Sequence, residues 1–244
     1  MKPVLRLDNI TAGYEDKIII ENISLELEHG KIISIIGKSG IGKSTLLHAI
    51  SGLISPAGGR VYLNDRDITA TTGNVSYMLQ KDLLLPFKTV LDNICMPLVI
   101  KGKKKNEARK TASAYLEEFG LKDYADKYPK SLSGGMRQRA ALLRSYLFSS
   151  EVLLLDEPFS SLDYITKLKM YDWFLSMVND LKLSAILITH DIEEALVLSD
   201  KLYMMKGAPA HMKFVMELDS PAKKDPLNPE FAKNKKKLLD MIEA

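Results

Sequence analysis

The sequence predicts an α/β fold with a mainly parallel sheet, an N-terminal antiparallel β subdomain and an inserted helical subdomain. Short apolar runs of strand length alternate with amphipathic segments, which is typical of a parallel sheet covered by helices. Near the N-terminus, segments that alternate in polarity or adjoin turn residues indicate antiparallel pairing. Between positions 90 and 149 the strand pattern disappears and helical segments take its place.

The parallel sheet is predicted from four runs of aliphatic and β-branched residues that have the length of buried strands. They are Ile32–Ile36, Val75–Met78, Val152–Leu155 and Ala185–Thr189. The antiparallel subdomain is predicted from Leu5–Ile10, Ile23–Leu27 and Arg60–Leu63. We also expect a turn over Lys206–Pro209 and a last strand over Phe214–Leu218.

The helical subdomain, over about 90–149, is expected to be an insertion in a single domain that spans residues 1–220. Its helical segments are Val90–Ile100, Asn106–Phe119 and Gly135–Leu147. The stretch Lys101–Lys105 is expected to form an exposed turn, either a solvated loop or a contact with anionic lipid headgroups. A short Lys-rich tail, residues 221–244, is expected to end in a helix around Phe231–Ile242.

The composition of the 244 residues excludes several classes of protein. With 46% hydrophobic and 27% charged residues, the chain is expected to fold compactly around an ample core. A formal net charge of +3 does not indicate a nucleic-acid partner. The single cysteine, Cys95, excludes an internal disulfide and is expected to be a helical hydrophobe, and no segment resembles a secretory signal. No apolar run approaches the roughly 18 residues that span a bilayer, so we expect a cytoplasmic protein with only peripheral membrane contact.

A glycine-rich stretch between the run Ile32–Ile36 and the amphipathic segment Thr45–Ile50 fits the Walker A pattern. Its glycines allow backbone N–H groups to converge on phosphate oxygens at the start of a helix. Lys43 is predicted to face the β and γ phosphates, and Ser44 to bind Mg²⁺. An ordinary glycine-rich turn would not require a lysine and a serine after its last glycine. The predicted phosphate-loop residues are Gly37, Lys38, Ser39, Gly40, Ile41, Gly42, Lys43, Ser44 and Thr45.

Two acidic residues, Asp156 and Glu157, follow the apolar run Val152–Leu155. Ligands of open α/β sheets bind at this end of the strands. Asp156 is predicted to hold Mg²⁺ through water, and Glu157, on the other side of the pleat, to polarise the attacking water as general base. Strands that end in acids are common, but together with the phosphate loop the pair predicts binding and hydrolysis of ATP with Mg²⁺.

The segment Leu132–Arg139 resembles the LSGGQ signature of ABC ATPases. A glycine pair at the start of a helix also fits an ordinary capped helix, with Ser133 as N-cap. The other family landmarks follow in order, so the resemblance extends from about Leu5 to Leu218. It therefore implies the fold of a P-loop NTPase of the ABC ATPase type.

The resemblance also implies roles for residues that the motifs above leave unassigned. Tyr14 matches the aromatic residue that stacks on adenine, although alone it is better explained as a surface aromatic. Gln80 matches the Q-loop glutamine that links Mg²⁺ and the attacking water to the helical subdomain, and His190 matches the switch histidine. Ser161, Leu162 and Asp163 match the D-loop. The other histidines, His29, His48 and His211, are expected to be solvated or structural.

A head-to-tail homodimer, or a pseudo-dimer, with two ATP molecules sandwiched between subunits is a further implication of the resemblance. The implied catalytic residues are Lys43, Gln80, Glu157 and His190. The implied metal-binding residues are Ser44, Gln80 and, through water, Asp156. The implied contribution of the facing subunit is Ser133, Gly134, Gly135 and Gln138. Transmembrane permease subunits and an extracytoplasmic solute-binding protein are the other implied partners.

Three short segments resemble the nitrate/sulfonate/taurine-type importer ATPases: Leu84–Phe87, Asp92–Ile94 and Asp191–Ala195. The sequence departs from the commonest pattern at Ser160–Ser161, where Gly-Ala is usual, and at Leu142–Ser145. The resemblance implies an ATPase subunit that powers a small-solute importer at the cytoplasmic face of the cell membrane.

Other functions remain as alternatives. Soluble ABC ATPases of translation or DNA repair share the nucleotide motifs, but usually carry two cassettes or a long coiled-coil insertion. A non-hydrolysing scaffold would be expected to lose Glu157 or His190, and both are present. The apolar stretch Leu83–Phe87 is either buried or reserved for a partner. The resemblance favours a groove for a short cytoplasmic helix of the membrane subunit.

Overall fold

The computed structural model of the chain describes residues 2–15, 17–148, 151–160, 162–218, 220 and 224–243. These residues form one sheet of ten strands. The strands are β1 (Leu5–Tyr14), β2 (Lys17–Leu27), β3 (Ile32–Ile36), β4 (Gly58–Leu63), β5 (Arg66–Asp67), β6 (Ser76–Met78), β7 (Val152–Asp156), β8 (Ser184–Ile188), β9 (Lys201–Gly207) and β10 (Ala210–Glu217). Their order across the sheet is β5-β4-β1-β2-β10-β9-β3-β8-β7-β6.

The sheet has a parallel half and an antiparallel half, as the sequence predicts. Strands β9, β3, β8, β7 and β6 run parallel to one another. Strands β1, β2, β4 and β5 pair antiparallel, and β9 and β10 form a further antiparallel pair. The halves meet where Ala210 of β10 lies beside Ile20 of β2. Both halves therefore belong to one continuous sheet.

Seven α-helices cover the described parts of the sheet and its insertion. They are α1 (Lys43–Ile50), α2 (Val90–Ile100), α3 (Lys105–Ser113), α4 (Gly134–Phe148), α5 (Tyr164–Leu181), α6 (Ile192–Leu198) and α7 (Pro229–Glu243). Side-chain caps start several of them: Thr89 accepts a hydrogen bond from the backbone N–H of Asp92, and Asp163 accepts one from Thr166. The three helical segments of the insertion are confirmed in α2, α3 and α4.

Some boundaries and elements differ from the predictions. Helix α3 ends at Ser113 rather than Phe119, because the chain continues in turns that place Leu116 and Phe119 in the core. Strand β9 extends to Gly207, into the predicted turn, so only the two residues between Gly207 and Ala210 connect it to β10. Strand β10 begins at Ala210 rather than at Phe214, because it pairs with β9 from its first residue. Helices α5 and α6 and strand β9 lie outside the predictions.

Apolar side chains form a core on each side of the sheet. One side packs α2, α4 and α5 against the parallel strands, and the other packs α1 against β1, β2 and β3. A third cluster joins α6 to α7, where Phe231 and Leu238 are buried beside Ile36 of β3. The helix predicted in the tail is therefore attached to the strand that leads into the phosphate loop.

No helix in the described part of the chain is long and apolar enough to cross a membrane.

Candidate nucleotide-binding and hydrolysis site

The phosphate loop connects the buried end of β3 to the start of α1. At Gly37 an added Cβ would lie 2.8 Å from the carbonyl oxygen of Met205, and at Gly42 it would lie 2.7 Å from the Cγ2 of Ile20. Gly42 also has a φ of +113°, which disfavours residues with a side chain. The neighbouring strands therefore require glycine at both ends of the loop.

Lys43, the first residue of α1, folds back over this loop. Its Nζ donates hydrogen bonds to the carbonyl oxygens of Gly37 at 2.8 Å and Lys38 at 3.0 Å. Burial lowers the pKa of Lys43, and the nearby carboxylates of Glu157 and Asp156 oppose that shift. Phosphate oxygens accept stronger, charge-assisted hydrogen bonds than these carbonyls do, so the ammonium group is poised to bind them.

Ser44 and Asp156 lie together at the start of α1 and the end of β7. Ser44 Oγ donates a hydrogen bond to Asp156 Oδ2 at 2.8 Å, and the hydroxyl of Tyr77 donates to the same oxygen at 3.2 Å. Burial first, and then Asp156, raise the pKa of Tyr77, which keeps that hydroxyl protonated. Tyr77 is absent from the predicted site. The alternation of side chains along β6 is the signal that could have identified Tyr77. Its neighbours Ser76 and Met78 are buried, so Tyr77 points to the other face of the strand.

These oxygen donors fit Mg²⁺. This ion usually keeps several waters and binds one or two carboxylates together with substrate phosphates, rather than a cage made of protein side chains alone. Among the residues described, no group of three or more His, Cys, Asp or Glu side chains is arranged to hold a metal ion. The pair Ser44 and Asp156 next to the phosphate loop therefore suits an ion that arrives with a nucleotide.

Glu157 is held from two sides at the mouth of the site. Nε2 of Gln80 donates a hydrogen bond to its Oε2 at 3.1 Å, and Nδ1 of His190 lies 3.1 Å from its Oε1. Glu157 has a φ of 48°, directly after β7 ends. Its carboxylate thus points away from the direction of the strand, in an orientation suited to accept a proton from water.

A cavity of about 380 Å³ brings most of the predicted residues together. Its lining consists of Tyr14, Ile19, Ser39, Gly40, Gly42, Lys43, Ser44, Thr45, Gln80, Asp156 and Glu157. The loop residues Gly37, Lys38 and Ile41 instead line a smaller space of about 190 Å³ behind the loop. Three larger cavities in the described part of the chain, two of about 630 Å³ and one of about 430 Å³, contain none of the predicted site residues. The chemistry of the lining, rather than size, therefore identifies the site.

Tyr14 stands at the edge of this cavity with 45% of its surface exposed. Its hydroxyl oxygen lies 2.6 Å from Nδ1 of His48, a residue of α1. The ring of His48 also meets the ring of Tyr77 edge-on, with 5.7 Å between the ring centres. The expectation that His48 is solvated or structural is thus refined, because it lies between two aromatic side chains of the site.

The signature segment lies outside the cavity. Ser133 is exposed and its Oγ accepts a hydrogen bond from the backbone N–H of Met136 at 3.3 Å, so it also caps α4. Gly134 and Gly135 form the first turn of α4, next to Leu162 and Thr166. Gln138 is only 5% exposed and packs inside its own subunit.

The D-loop segment leads into α5. Asp163 is exposed and caps this helix, and Leu162 is half-buried beside Gly134. Ser161, the first residue predicted for the segment, lies outside the described residues.

Comparisons with known proteins agree with this geometry. The family model described as "ABC transporter" matches residues 20–160. The formylaminopyrimidine import ATP-binding protein of Halalkalibacterium halodurans is 44% identical over 212 residues, which cover 86% of this chain and 83% of that protein. The nitrate import ATP-binding protein of Synechocystis sp. is 34% identical over 216 residues, which cover 88% and 81%. A dimeric bacterial ABC transporter cassette of known structure matches with a TM-score of 0.74 and 27% identity, over 88% of this chain and 99% of that one.

The fold, the residues that line the cavity and these relatives all indicate the same family. The family match covers more than half of the chain, and the relatives match over most of their own length. The chain therefore belongs to the ABC transporter family, as an ATP-binding subunit that hydrolyses ATP to power transport.

Proposed function

We propose that the chain binds Mg-ATP in the 380 Å³ cavity and hydrolyses it with Glu157 as general base. The observation that carries this proposal is the carboxylate of Glu157, whose two oxygens are contacted separately by Gln80 and His190, at 3.1 Å each. A base held in this way is oriented before substrate arrives, so its proton transfer needs little rearrangement. Glu157 takes the proton of the water that attacks the γ-phosphate.

The other residues bind and orient the nucleotide. The side chain of Lys43 exchanges its two carbonyl contacts for phosphate oxygens, and the loop N–H groups at the start of α1 add further donors. Ser44 and Asp156, with Gln80 nearby, hold the Mg²⁺, which neutralises charge on the phosphates. Tyr14 supports the base of the nucleotide by stacking.

Two copies of the chain sandwich the nucleotide in this proposal. Ser133, Gly134 and Gly135 lie away from their own cavity, and the exposed Ser133 stands at the N-terminus of α4, where anions bind. The same segment of a second copy completes the site, with Gln138 supporting it from inside α4. The dimeric cassette of known structure supports this arrangement.

The proposed partners include transmembrane permease subunits and an extracytoplasmic solute-binding protein, in an importer of nitrate/sulfonate/taurine type. The relatives are named for import of formylaminopyrimidine and of nitrate, which supports this branch. In the stretch Leu83–Phe87, the side chains of Leu83 and Phe87 are 53% and 72% exposed. An apolar groove of about 430 Å³ lies beside it, and Arg144 joins the two by donating hydrogen bonds to the carbonyl oxygens of Asp82 and Leu83.

In this proposal a short cytoplasmic helix of the permease occupies this apolar region, and the chain then lies at the cytoplasmic face of the membrane. Residues 1–220 form the ATPase domain in this proposal. The helical insertion at about 90–149 carries the signature and forms one wall of the groove, and residues between 51 and 77 form the other wall. The segment 221–244 contributes the packed helix α7.

Mixing two inactive variants tests the shared site. Lys43→Ala disables the phosphate loop of its own subunit, and Gly134→Asp places a negative charge in the signature presented to the other. We expect each variant alone to lack Mg-dependent hydrolysis, and the mixture to regain part of it through heterodimers with one intact site. A mixture that stays inactive, or a specific activity that is unchanged when the wild-type protein is diluted, would contradict the sandwich.

A further inference from the structure

Helices α5 and α6 are joined by two side-chain contacts that lie next to each other. Nζ of Lys167 lies 3.1 Å from Oδ2 of Asp191, and the hydroxyl of Tyr171 donates a hydrogen bond to Oε2 of Glu194 at 3.1 Å. Lys167 and Tyr171 are one turn apart on α5. Asp191 caps α6 and Glu194 belongs to its first turn.

Helix α6 begins beside the proposed catalytic residue His190, and helix α5 begins at the segment that packs against Gly134 and Gly135 of the signature. Helix α5 starts directly after Asp163, which caps it. Helix α6 starts two residues after His190, and Oδ1 of Asp191 accepts hydrogen bonds from the backbone N–H groups of Glu193 and Glu194. A displacement of α6 relative to α5 therefore moves His190 relative to the D-loop segment.

Glu194 has an unusual environment for a carboxylate. It is 1% exposed, and within the described residues its Oε1 makes no hydrogen bond of normal geometry. Burial raises its pKa to about 7, while the hydroxyl of Tyr171 acts in the opposite direction. The other groups that influence it are Asp191, which opposes its ionisation, and Thr189 and Lys167, which favour it.

Packing alone does not account for this residue. A buried carboxyl group loses hydration that the hydroxyls of Tyr171 and Thr189 replace only in part, and an apolar side chain of similar size would avoid that cost. Tyr171, which is 5% exposed, likewise buries its hydroxyl to reach Glu194. The pair therefore maintains a specific contact between two helices at the expense of stability.

We propose that Lys167, Tyr171, Asp191 and Glu194 form a clamp that holds His190 and the D-loop segment in a fixed relation during ATP hydrolysis. Tyr171 and Glu194 are then positioning residues, acting through His190 on Glu157. The ionised form of Glu194 closes the clamp, because a hydroxyl binds a carboxylate more strongly than a neutral carboxyl. This inference rests on the roles of His190 and Glu157 proposed above.

The change Tyr171→Phe removes one hydroxyl and leaves the ring in place. We expect the maximal hydrolysis rate of the full-length protein to fall about tenfold, since a hydrogen bond to a charged group is lost, with the ATP dissociation constant unchanged. We also expect the pH of half-maximal rate to rise, because the lost hydroxyl favoured ionisation of Glu194. Tyr124→Phe, at a partly exposed tyrosine of the helical insertion, is the matched control.

The change Glu194→Gln removes the ionisation and keeps the shape. We expect the rise of the hydrolysis rate through pH 7 to disappear, while Glu193→Gln on the outer side of the same helix keeps it. Lys167→Ala is expected to lower the rate with unchanged ATP affinity, and Lys167→Arg to restore it. These readouts respond to the position of the catalytic groups and not to stability alone.

Two outcomes would overturn the clamp: a wild-type pH profile in both Tyr171→Phe and Glu194→Gln, or a loss of ATP affinity that matches the loss of rate. Failure of the proposed function looks different. It would show as full hydrolysis by Glu157→Gln, measured in the same assay.

Discussion

The hydroxyl oxygen of Tyr14 and Nδ1 of His48 are 2.6 Å apart, and this contact ties the end of β1 to helix α1. Tyr14 is nearly half exposed, and without a partner its side chain would sample several rotamers. Because α1 begins at the phosphate loop, the contact fixes the aromatic ring relative to the phosphate site. In the proposed binding mode, this contact would set the site for the base at a defined distance from the site for the phosphates.

Replacing His48 by alanine is expected to weaken ATP binding about fivefold. This factor corresponds to the roughly 1 kcal/mol that one hydrogen bond contributes. The maximal hydrolysis rate should stay unchanged, because Tyr14 is proposed to hold the base of the nucleotide, whereas Glu157 acts at the γ-phosphate. A fluorescent ATP analogue measures the affinity. His211→Ala, at an exposed histidine of β10, is the control. An unchanged dissociation constant in the His48 variant would mean that Tyr14 needs no partner.

Replacing Lys43 by alanine is expected to reduce ATP affinity sharply. Its ammonium group contacts only two backbone carbonyls among the described hydrogen bonds, so the core should not depend on it. Isothermal titration with Mg-ATP measures the affinity, and thermal unfolding checks that the fold persists. Affinity equal to that of the wild type would refute the assignment of the phosphate loop.

Replacing Glu157 by glutamine is expected to keep ATP binding and to block hydrolysis, because an amide is a poor proton acceptor. Both contacts, from Gln80 and His190, have room to persist with an amide of the same shape. The variant should accumulate as an ATP-bound dimer, which gel filtration with and without Mg-ATP detects. Turnover at the wild-type rate would exclude Glu157 as the base.

Replacing Glu194 by glutamine is expected to stabilise the fold in a pH-dependent manner. In the folded state the pKa of Glu194 is raised to about 7, so the folded protein binds more protons than the unfolded chain between about pH 4.5 and 7. Wild-type stability therefore falls as pH rises through this range. The variant should be more stable by up to about 3 kcal/mol at pH 8, and the difference should shrink towards pH 4.5. Urea unfolding at pH 5 and pH 8 gives both free energies, and equal differences would contradict the raised pKa.

Replacing Phe87 by aspartate is expected to prevent assembly with the permease or solute uptake, with ATP binding by the isolated subunit retained. Phe87 is 72% exposed and contributes little to the core, whereas Leu85 is half-buried and its backbone is bonded to Asn93. Phe87 is thus the cleaner site for this test than Leu85. Leu227→Asp, at a side chain that is 92% exposed, is the control. Normal co-purification and uptake in the Phe87 variant would place the docking surface elsewhere.

Local patterns in the sequence were enough to locate the phosphate loop and the acidic strand end. The buried run Ile32–Ile36, the glycines after it and Lys43 are neighbours in the chain, and each carries its own signal. The same holds for Val152–Leu155 and the two acids that follow. Secondary-structure periodicity likewise located α2 and α4 almost to the residue.

Contacts between distant elements could not be read in this way. Tyr14 and His48 are 34 positions apart, Tyr171 and Glu194 are 23 apart, and Tyr77 and Asp156 are 79 apart. Each pair forms because two elements meet in the fold, and no local pattern specifies which elements meet. Strand β9 escaped prediction for a related reason, since its apolar residues do not alternate regularly and only pairing with β3 and β10 defines it.

The burial of α7 has a practical bearing on how this protein is expressed and engineered. Phe231 and Leu238 fill the space beside Ile36, the last residue of β3 before Gly37. A shortened version that stops before Pro229 would expose an apolar surface beside the strand that leads into the phosphate loop, and exposed apolar surfaces promote aggregation. In the sequence, the residues of α7 resemble a dispensable basic extension. In the fold they support the strand that leads into the nucleotide site, so expression designs should keep them.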